Sequence, residues 1–329
     1  MIERIAILGA GAWGTALAAV VASAGRQALL WTRNPALAEE ISRQHHNSVY
    51  LPNIELDPSI RATAEPADLA GVDAVLLVTP SQHLRSIATR FAAVLPEAVP
   101  LVLCCKGIER GSGKLMTDVA AEVLPGRPLA VLSGPTFAAE VARGLPTAVT
   151  LASDDPALAA ELVTALGSRS FRPYQANDPL GAEVGGAVKN VIAIACGIVE
   201  GRDLGANARA ALITRGLAEI VRLGLARGGR VETLMGLSGL GDLTLTCTAV
   251  QSRNYALGLA LGKGSALQDL MSGRRTVAEG VESAAAVTAL AASLKIEMPI
   301  CKAVDAILHH GADIGDVIGE LLARPFTKE

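Results

Sequence analysis

Aromatic side chains are scarce in this chain, with four Phe, three Tyr and two Trp among 329 residues. A core of ordinary size must therefore be filled by Ala, Val, Leu and Ile. Charge is sparse too. Only 19% of residues are charged and the formal net charge is −3, which excludes the basic footprint of a nucleic-acid binder. Half of the residues are hydrophobic, the opposite of the balance that keeps a chain disordered. The five cysteines (Cys104, Cys105, Cys196, Cys247 and Cys301) include no Cys-x-x-Cys pair. Neither a zinc site nor a disulfide framework has a basis, and buried, inert thiols in a reducing compartment are expected. What the chain does have is glycine: 33 residues, about a tenth, against a usual share of ~7%.

One charge-free stretch imitates a secretory signal. Ile5 to Gly25 follows Arg4 and contains Ala22-Ser23-Ala24, an A-x-A cleavage pattern. Glu3 weakens the positive start, and Gly9, Gly11 and Gly14 interrupt the apolar run, so part of a folded domain is the better reading. No other stretch is both long enough and charge-free enough to span a bilayer.

The first half alternates short apolar runs with helical segments. Strands are expected at Arg4–Leu8, Gln27–Trp31, Ala74–Val78, Pro100–Cys104, Leu129–Leu132 and Ala148–Leu151. Such alternation implies parallel pairing, and near-continuous apolar strands imply a sheet covered on both faces. The character changes near Asn177-Asp178-Pro179, where Asp as cap and Pro at the first helical position start a helix. Beyond it, helices are expected at Pro179–Glu200, Asn207–Ala226, Asn254–Leu261, Ser283–Leu294 and Ile300–His309. The length, at about 150 residues per domain, also suggests two domains. The boundary is placed near residue 180: an α/β domain over 1–180 and a mostly α-helical one over 181–329.

The first strand runs into Gly9-Ala10-Gly11-Ala12-Trp13-Gly14 and then into an alanine-rich helix over Thr15–Ala24. A lone G-x-G-x-x-G says little, but between a strand and a helix it reads as a dinucleotide fingerprint. Gly9 permits the tight turn, Gly11 admits a pyrophosphate to the backbone, and Gly14 lets helix and strand pack closely. The helix N-terminus offers free N–H groups to the phosphates. The fold class is thus α/β, a Rossmann-type, largely parallel sheet followed by a helical domain. The second strand ends in Leu30-Trp31-Thr32-Arg33-Asn34. It lacks the acid that usually binds the ribose hydroxyls of NAD. Arg33 can instead pair with a 2′-phosphate, so NADP is preferred over NAD; a solvated surface arginine is the plain alternative.

Lys189 lies in Gly185-Gly186-Ala187-Val188-Lys189-Asn190, in an otherwise apolar helical segment. A desolvated lysine has a lowered pKa, as proton transfer near neutral pH requires. Gly185 and Gly186 are costly inside a helix and make sense if something approaches its backbone closely. Lys106 follows the fourth strand at the carboxyl edge, where open α/β folds bind ligands. Gly134-Pro135-Thr136-Phe137-Ala138 stands at the same edge after the next strand and can present N–H groups and a hydroxyl. Asp242 is an isolated acid in LSGLGDLTLT and needs a partner, for which a catalytic lysine is natural. Ser252-Arg253-Asn254 opens a helix and combines a cation with a helix N-terminus, a good phosphate site. The His45-His46-Asn47 stretch suggests no role, and no metal site is expected.

These residues together resemble a known family. GAGAWGTALA, Lys106-Gly107, SGPTFAAE, AVKN, GLGDLTLTC, SRN and Val277-Ala278-Glu279-Gly280 are similar to motifs of bacterial NAD(P)-dependent glycerol-3-phosphate dehydrogenases, in the family's order along nearly the whole chain. The resemblance implies reversible reduction of dihydroxyacetone phosphate to sn-glycerol 3-phosphate, supplying phospholipid synthesis in the cytoplasm, by a homodimer. It implies Lys189 as the proton-transfer group. Lys106, Gly134, Thr136, Lys189, Asp242, Ser252, Arg253 and Asn254 would contact substrate, with Asn190 and Thr246 as polar partners beside them. Ala12, Trp13, Arg33, Lys106, Ala138, Arg253, Val277 and Glu279 would contact the cofactor. Relatives often carry Ser where this chain has Ala12, so only a backbone contact is expected there. In the implied mechanism Lys106 stabilises negative charge and Asp242 orients Lys189. The nearest alternative is a β-hydroxyacid dehydrogenase, whose G-x-x-x-K-x-x-N spacing is half met, since position 192 is Ile. A non-catalytic NAD(P)-binding sensor is the alternative of another class, with little need for Lys189, Asp242 and Lys106 together.

Overall fold

The computed structural model describes residues 1–271 and 278–325. The chain divides into two compact units, Met1–Lys106 with Lys114–Glu183, and Gly107–Gly113 with Val184–Glu329.

In the first unit the elements are β1 (Arg4–Leu8), α1 (Ala12–Ser23), β2 (Gln27–Trp31), α2 (Pro35–Gln44), β3 (His46–Asn47), β4 (Leu51–Glu55), β5 (Arg61–Thr63), β6 (Ala74–Leu77), α3 (Leu84–Phe91), β7 (Leu101–Leu103), α4 (Met116–Val123), β8 (Leu129–Ser133), α5 (Ala138–Ala142), β9 (Thr147–Ala152), α6 (Pro156–Leu166) and β10 (Phe171–Ala176). Eight strands form one sheet in the order β10-β9-β8-β7-β6-β1-β2-β5, and β3 with β4 makes a separate antiparallel hairpin. The apolar strands are buried on both faces because successive side chains alternate. Ile5, Ile7, Leu30, Leu76 and Val102 enter the core under α1, α2 and α6. Ala6, Leu8, Leu29, Leu77 and Leu103 enter the opposite core with Leu84 and Phe91 of α3 and Val119 of α4.

The sheet departs from all-parallel pairing at one place. β8 and β9 are antiparallel, so β9 and β10, parallel to each other, run against the other six strands. The connection between β8 and β9 carries only the five-residue α5, which packs on α1, and the chain re-enters the sheet at the same edge where β8 left it. A parallel return needs a longer crossover, which sequence alternation alone does not reveal. Two edge strands also lay outside the expected set. β10 reads FRPYQA and β5 reads RAT; each pairs on one side only, where Pro173 and polar residues are tolerated.

The second unit contains most of α7 (Pro179–Gly201), then α8 (Gly205–Ala226), α9 (Val231–Leu234), a π-type turn at Leu237–Gly241, α10 (Asp242–Thr248), α11 (Arg253–Gly262), α12 (Leu267–Met271), α13 (Glu279–Ser293), α14 (Pro299–His309) and α15 (Ile314–Leu322). Asp178 starts α7 by accepting the Gly181 N–H at 2.8 Å. By length and composition α7 could cross a membrane, yet 94% of its most apolar stretch is buried inside the fold.

Glycine allows this burial by letting backbones touch. A Cβ on Gly201 would meet Leu259 O at 2.5 Å and Gly262 Cα at 2.9 Å, and one on Gly262 would meet Ile198 O at 2.6 Å. Gly197 and Gly258 face the partner backbone in the same way, so α7 and α11 cross with almost no side chain between them.

Two of the buried carboxylates, Glu219 and Glu183, hold helix starts in place. Glu219 of α8 caps α14 by accepting the Ile300 N–H at 2.7 Å and the Cys301 N–H at 3.1 Å, and burial pushes its pKa up. Glu183 accepts the Thr117 N–H at 2.9 Å and the Thr117 hydroxyl at 2.5 Å at the start of α4. Burial pushes Glu183 up to about 7, well above its ordinary 4.5.

Gly258→Ala tests the close crossing. On propensity alone the substitution favours a helix by ~1 kcal/mol, but here the new methyl meets Ile194 Cα at 3.0 Å and the Ile194 carbonyl closer still. A net loss of about 1–3 kcal/mol is expected, read as a lower midpoint in urea unfolding; a raised midpoint would contradict the packing. Glu183 predicts a pH dependence. Between its unfolded pKa near 4.5 and its folded value of about 7, the folded state binds more protons, so stability falls as pH rises through that window. The fall is on the order of 3 kcal/mol at most. Glu183→Gln keeps the hydrogen-bonding shape without the charge. It should flatten the slope in thermal unfolding and exceed the parent above pH 7.

Candidate functional site

In the first unit the strand order reverses at β1, which has β2 on one side and β6 on the other. Such a switch point leaves a crevice at the carboxyl ends of the strands. There β1 runs into the glycine loop. Gly9 has φ +122°, and a Cβ on it would meet Val78 O at 3.0 Å. A Cβ on Gly14 would strike the Gly9 carbonyl, so α1 starts hard against the strand end. Nothing lies within 4 Å of the Cβ position of Gly11, the residue before α1. The first N–H groups of α1 carry no side-chain cap and the helix dipole no opposing acid in the first turn among the described residues, an arrangement suited to an anion.

Trp13 Nε1, Thr79 Oγ1 and Ser133 Oγ are buried without a hydrogen-bond partner among the described residues. Thr79 lies beside Gly9, with its backbone nitrogen 3.4 Å from the Cβ position of Gly9. The orphaned polar atoms of Trp13 and Thr79, at the glycine loop, fit a polar ligand such as a dinucleotide. Thr79 and Ser133 escaped sequence reasoning because a hydroxyl at a strand end has no motif of its own.

The remaining expected residues of this unit fall into place as follows. Arg33 is exposed just beyond β2, with Asn34 next to it capping α2 through Ala36 N–H at 3.1 Å. Ala12 and Trp13 open α1, and Ala138 opens α5. Lys106 Nζ donates to Gly134 O at 3.2 Å, and Thr136 Oγ1 donates to the same carbonyl at 3.3 Å. Lys106, Gly134 and Thr136 are thus gathered at one point.

In the second unit, Lys189 projects from α7 and is 7% exposed. Its Nζ pairs with the Asp242 carboxylate and donates to Thr246 Oγ1 at 2.9 Å. Asp242 is fully buried in the first turn of α10. Thr246 Oγ1, one turn later, donates to Asp242 O at 2.6 Å, which fixes its lone pairs toward the lysine. Gly185 explains how α10 comes so near. A Cβ there would meet Ser238 O at 2.5 Å, so the π-type turn leading to Asp242 lies directly on the α7 backbone. That turn is closed by Gly241 N donating to Gly236 O at 3.0 Å.

Asn190 and Asn254 form a second polar pair. Asn254 Nδ2 donates to Asn190 Oδ1 at 2.9 Å, and Asn254 Oδ1 accepts the Gly280 N–H at 2.9 Å. The Asn254 carboxamide therefore joins α7 to the start of α13. Ser252 caps α11 by accepting the Tyr255 N–H at 3.3 Å, leaving Arg253 exposed as the first residue of that helix. Glu279 opens α13, half-buried; Val277 lies outside the described residues. None of the five cysteines forms a disulfide, and of the five only Cys105 is partly accessible. Burial pushes the Cys104 and Cys247 thiols up, away from reactivity.

The arrangement offers an anion-receiving helix start and a basic side chain beside a strand-end carbonyl in one unit. In the other it offers a buried, oriented ammonium that can give or take a proton. Comparison with known proteins agrees with both. The family description NAD-dependent glycerol-3-phosphate dehydrogenase N-terminus matches residues 4–159, and that of the C-terminus matches residues 178–319. The chain is 57% identical over 330 residues to the glycerol-3-phosphate dehydrogenase (NAD(P)+) of Rhodospirillum rubrum, covering 100% of this chain and 95% of that protein. It is 56% identical over 327 residues to the namesake from Parvibaculum lavamentivorans, covering 99% and 98%. The crystal structure of glycerol-3-phosphate dehydrogenase from Coxiella burnetii superposes with a TM-score of 0.93 at 43% identity, covering 98% of this chain and 99% of that one. With both halves matched and more than half of the residues shared end to end, this chain belongs to the NAD-dependent glycerol-3-phosphate dehydrogenase family.

Proposed function

We propose that this protein reduces dihydroxyacetone phosphate to sn-glycerol 3-phosphate with NADPH or NADH, and catalyses the reverse reaction. The observation that carries the proposal is the buried Lys189–Asp242–Thr246 cluster, which orients one ammonium at a fixed place. When bound, the nicotinamide supplies or takes up the hydride. Lys189 donates the proton that the C2 oxygen requires as the carbonyl becomes an alcohol, and in oxidation its neutral amine takes that proton back. Asp242 and Thr246 hold Nζ in place, so no reorganisation is needed at the moment of transfer. Lys106 stabilises negative charge near the reacting oxygen. Arg253, at the start of α11, pairs with the substrate phosphate together with Ser252 and Asn254.

The first domain, 1–180, would hold the cofactor through Gly9, Gly11, Ala12, Trp13, Gly14, Arg33, Lys106 and Ala138. The second, 181–329, would hold the substrate and the proton, with Glu279 contributing to cofactor binding. Gly134 and Thr136 contribute to substrate binding from the first domain, and Asn190 supports it from the second. A homodimer in the cytoplasm, supplying glycerophospholipid synthesis from a phosphorylated small molecule, completes the reading; sedimentation tests the dimer.

Mixing the protein with NADPH and dihydroxyacetone phosphate should consume NADPH absorbance. No consumption, but turnover of a 3-keto acid, would point to a β-hydroxyacid dehydrogenase, and cofactor binding with no turnover at all to a sensor. Lys189→Ala should lower kcat by about 10²–10⁴, the usual worth of general acid–base catalysis, while NADPH binding survives; full activity would sink the assignment of Lys189. Arg33→Ala should raise the KM for NADPH by roughly 10-fold or more, since hydrogen bonds to charged groups contribute about 1.5–3 kcal/mol, and leave that for NADH nearly unchanged. Equal effects on both cofactors would remove Arg33 from 2′-phosphate recognition.

A further inference from the structure

The sequence offers no role for Asn47, and the structure places it where the glycine loop is made. Asn47 is fully buried in the short strand β3, which pairs with β4. Its Nδ2 donates twice, to Ala10 O at 3.0 Å and to Thr15 Oγ1 at 2.8 Å. Its Oδ1 accepts the Tyr50 N–H at 3.1 Å and closes the hairpin tip. One carboxamide thus ties that hairpin to the centre of Gly9-Ala10-Gly11 and to the first turn of α1.

The neighbouring groups of the loop are already committed. Gly9 N–H donates to Trp31 O at 3.1 Å, the Leu8 carbonyl accepts from Val78 N–H at 3.0 Å, and the Gly11 carbonyl accepts the Thr15 N–H at 2.9 Å. The Ala10 carbonyl lies between the end of β1 and the first turn of α1, and Asn47 satisfies it. The consequence follows from peptide geometry. The Ala10 carbonyl and the Gly11 N–H belong to one planar trans peptide group, so they point in opposite directions. Holding the carbonyl inward on Asn47 turns the Gly11 N–H the opposite way, away from the hairpin, at a residue whose Cβ position is itself open.

We propose that Asn47 is a positioning residue for cofactor binding: its carboxamide fixes the orientation of the Ala10–Gly11 peptide and so aims the Gly11 N–H at the cofactor pyrophosphate. This rests on the reading that the first unit binds NADPH or NADH. Without the Nδ2 donor, the peptide loses the bond that opposes its rotation, and a carbonyl can turn toward the phosphates. The effect falls on cofactor affinity and leaves proton transfer at Lys189 intact.

Asn47→Asp is the decisive variant, because it keeps the size and the acceptor for Tyr50 N–H while removing both donors. Asn47→Ser is the second variant should the buried charge of Asp prevent folding. Thr15→Val removes the other partner of Nδ2 and leaves the bond to Ala10. The full-length proteins are titrated with NADPH, following tryptophan fluorescence with Trp13 inside the loop, and assayed in steady state. The Kd and KM for NADPH should rise about 10-fold or more in both Asn47 variants. The kcat at saturating NADPH and the KM for dihydroxyacetone phosphate should stay within about two-fold. Thr15→Val should lower the Tm without moving the Kd. An unchanged Kd for NADPH in the Asn47 variants, with the parent binding normally, overturns the proposal and spares the assigned activity. A parent that does not bind NADPH overturns both.

Discussion

A lysine ammonium removed from water must meet an opposite charge, or its burial costs several kcal/mol. Lys189 meets that requirement with Asp242, and much of the second unit exists to bring the two together. Asp242 comes from an element 53 residues along the chain. It can reach α7 because Gly185 leaves room for the turn before α10, and because α11, with its own glycines, lies flush on the next turns of α7. The Asn190–Asn254–Gly280 bridge ties a third helix to the same stretch. Burying such a pair is a poor way to gain stability, since apolar residues of equal volume often do as well. Its benefit is position: an ammonium with two partners and little solvent has one orientation to offer a substrate.

The first unit solves a different problem by related means. A phosphate-binding loop must present N–H groups without side chains in the way and must also keep those N–H groups pointed outward. Glycine meets the first demand. The second falls to the inward-facing carbonyls, and here the hairpin after α2 supplies the acceptor's partner. The β3–β4 pair, which joins no other strand among the described residues, thereby contributes more to the loop than its size suggests.

Legibility from sequence followed the range of the forces involved. β1 and β2 end where the apolar runs end, because strands buried on both faces leave a contiguous signature. β10 and β5 were missed because edge strands tolerate Arg, Pro and Tyr, and the reversal at β9 was missed because helix length, not helix presence, decides the direction of return. Of the candidate site, Lys189, Asp242 and the glycine loop stood out as residue types that do not belong in apolar surroundings. Asn47, Glu183 and Glu219 did not. Each looks like an ordinary polar residue in its own segment, and each has partners more than 30 residues away. Asn254 was legible as a polar residue at a helix start, but its amide is engaged in a bridge between helices, which no local pattern announces.

The glycines along α7 have one further consequence, for register. Gly185, Gly197 and Gly201 all turn toward neighbouring backbone, so they must share a rotational frame with the lysine between them. A residue adds about 100° of turn to an α-helix. One inserted or deleted residue between Gly185 and Gly197 would set methyl-bearing positions against the α11 backbone or swing Lys189 away from Asp242. Residues 181–198 of this helix are all buried, so packing constrains every one of its faces, and its length between these points is locked by carbonyls that it touches directly.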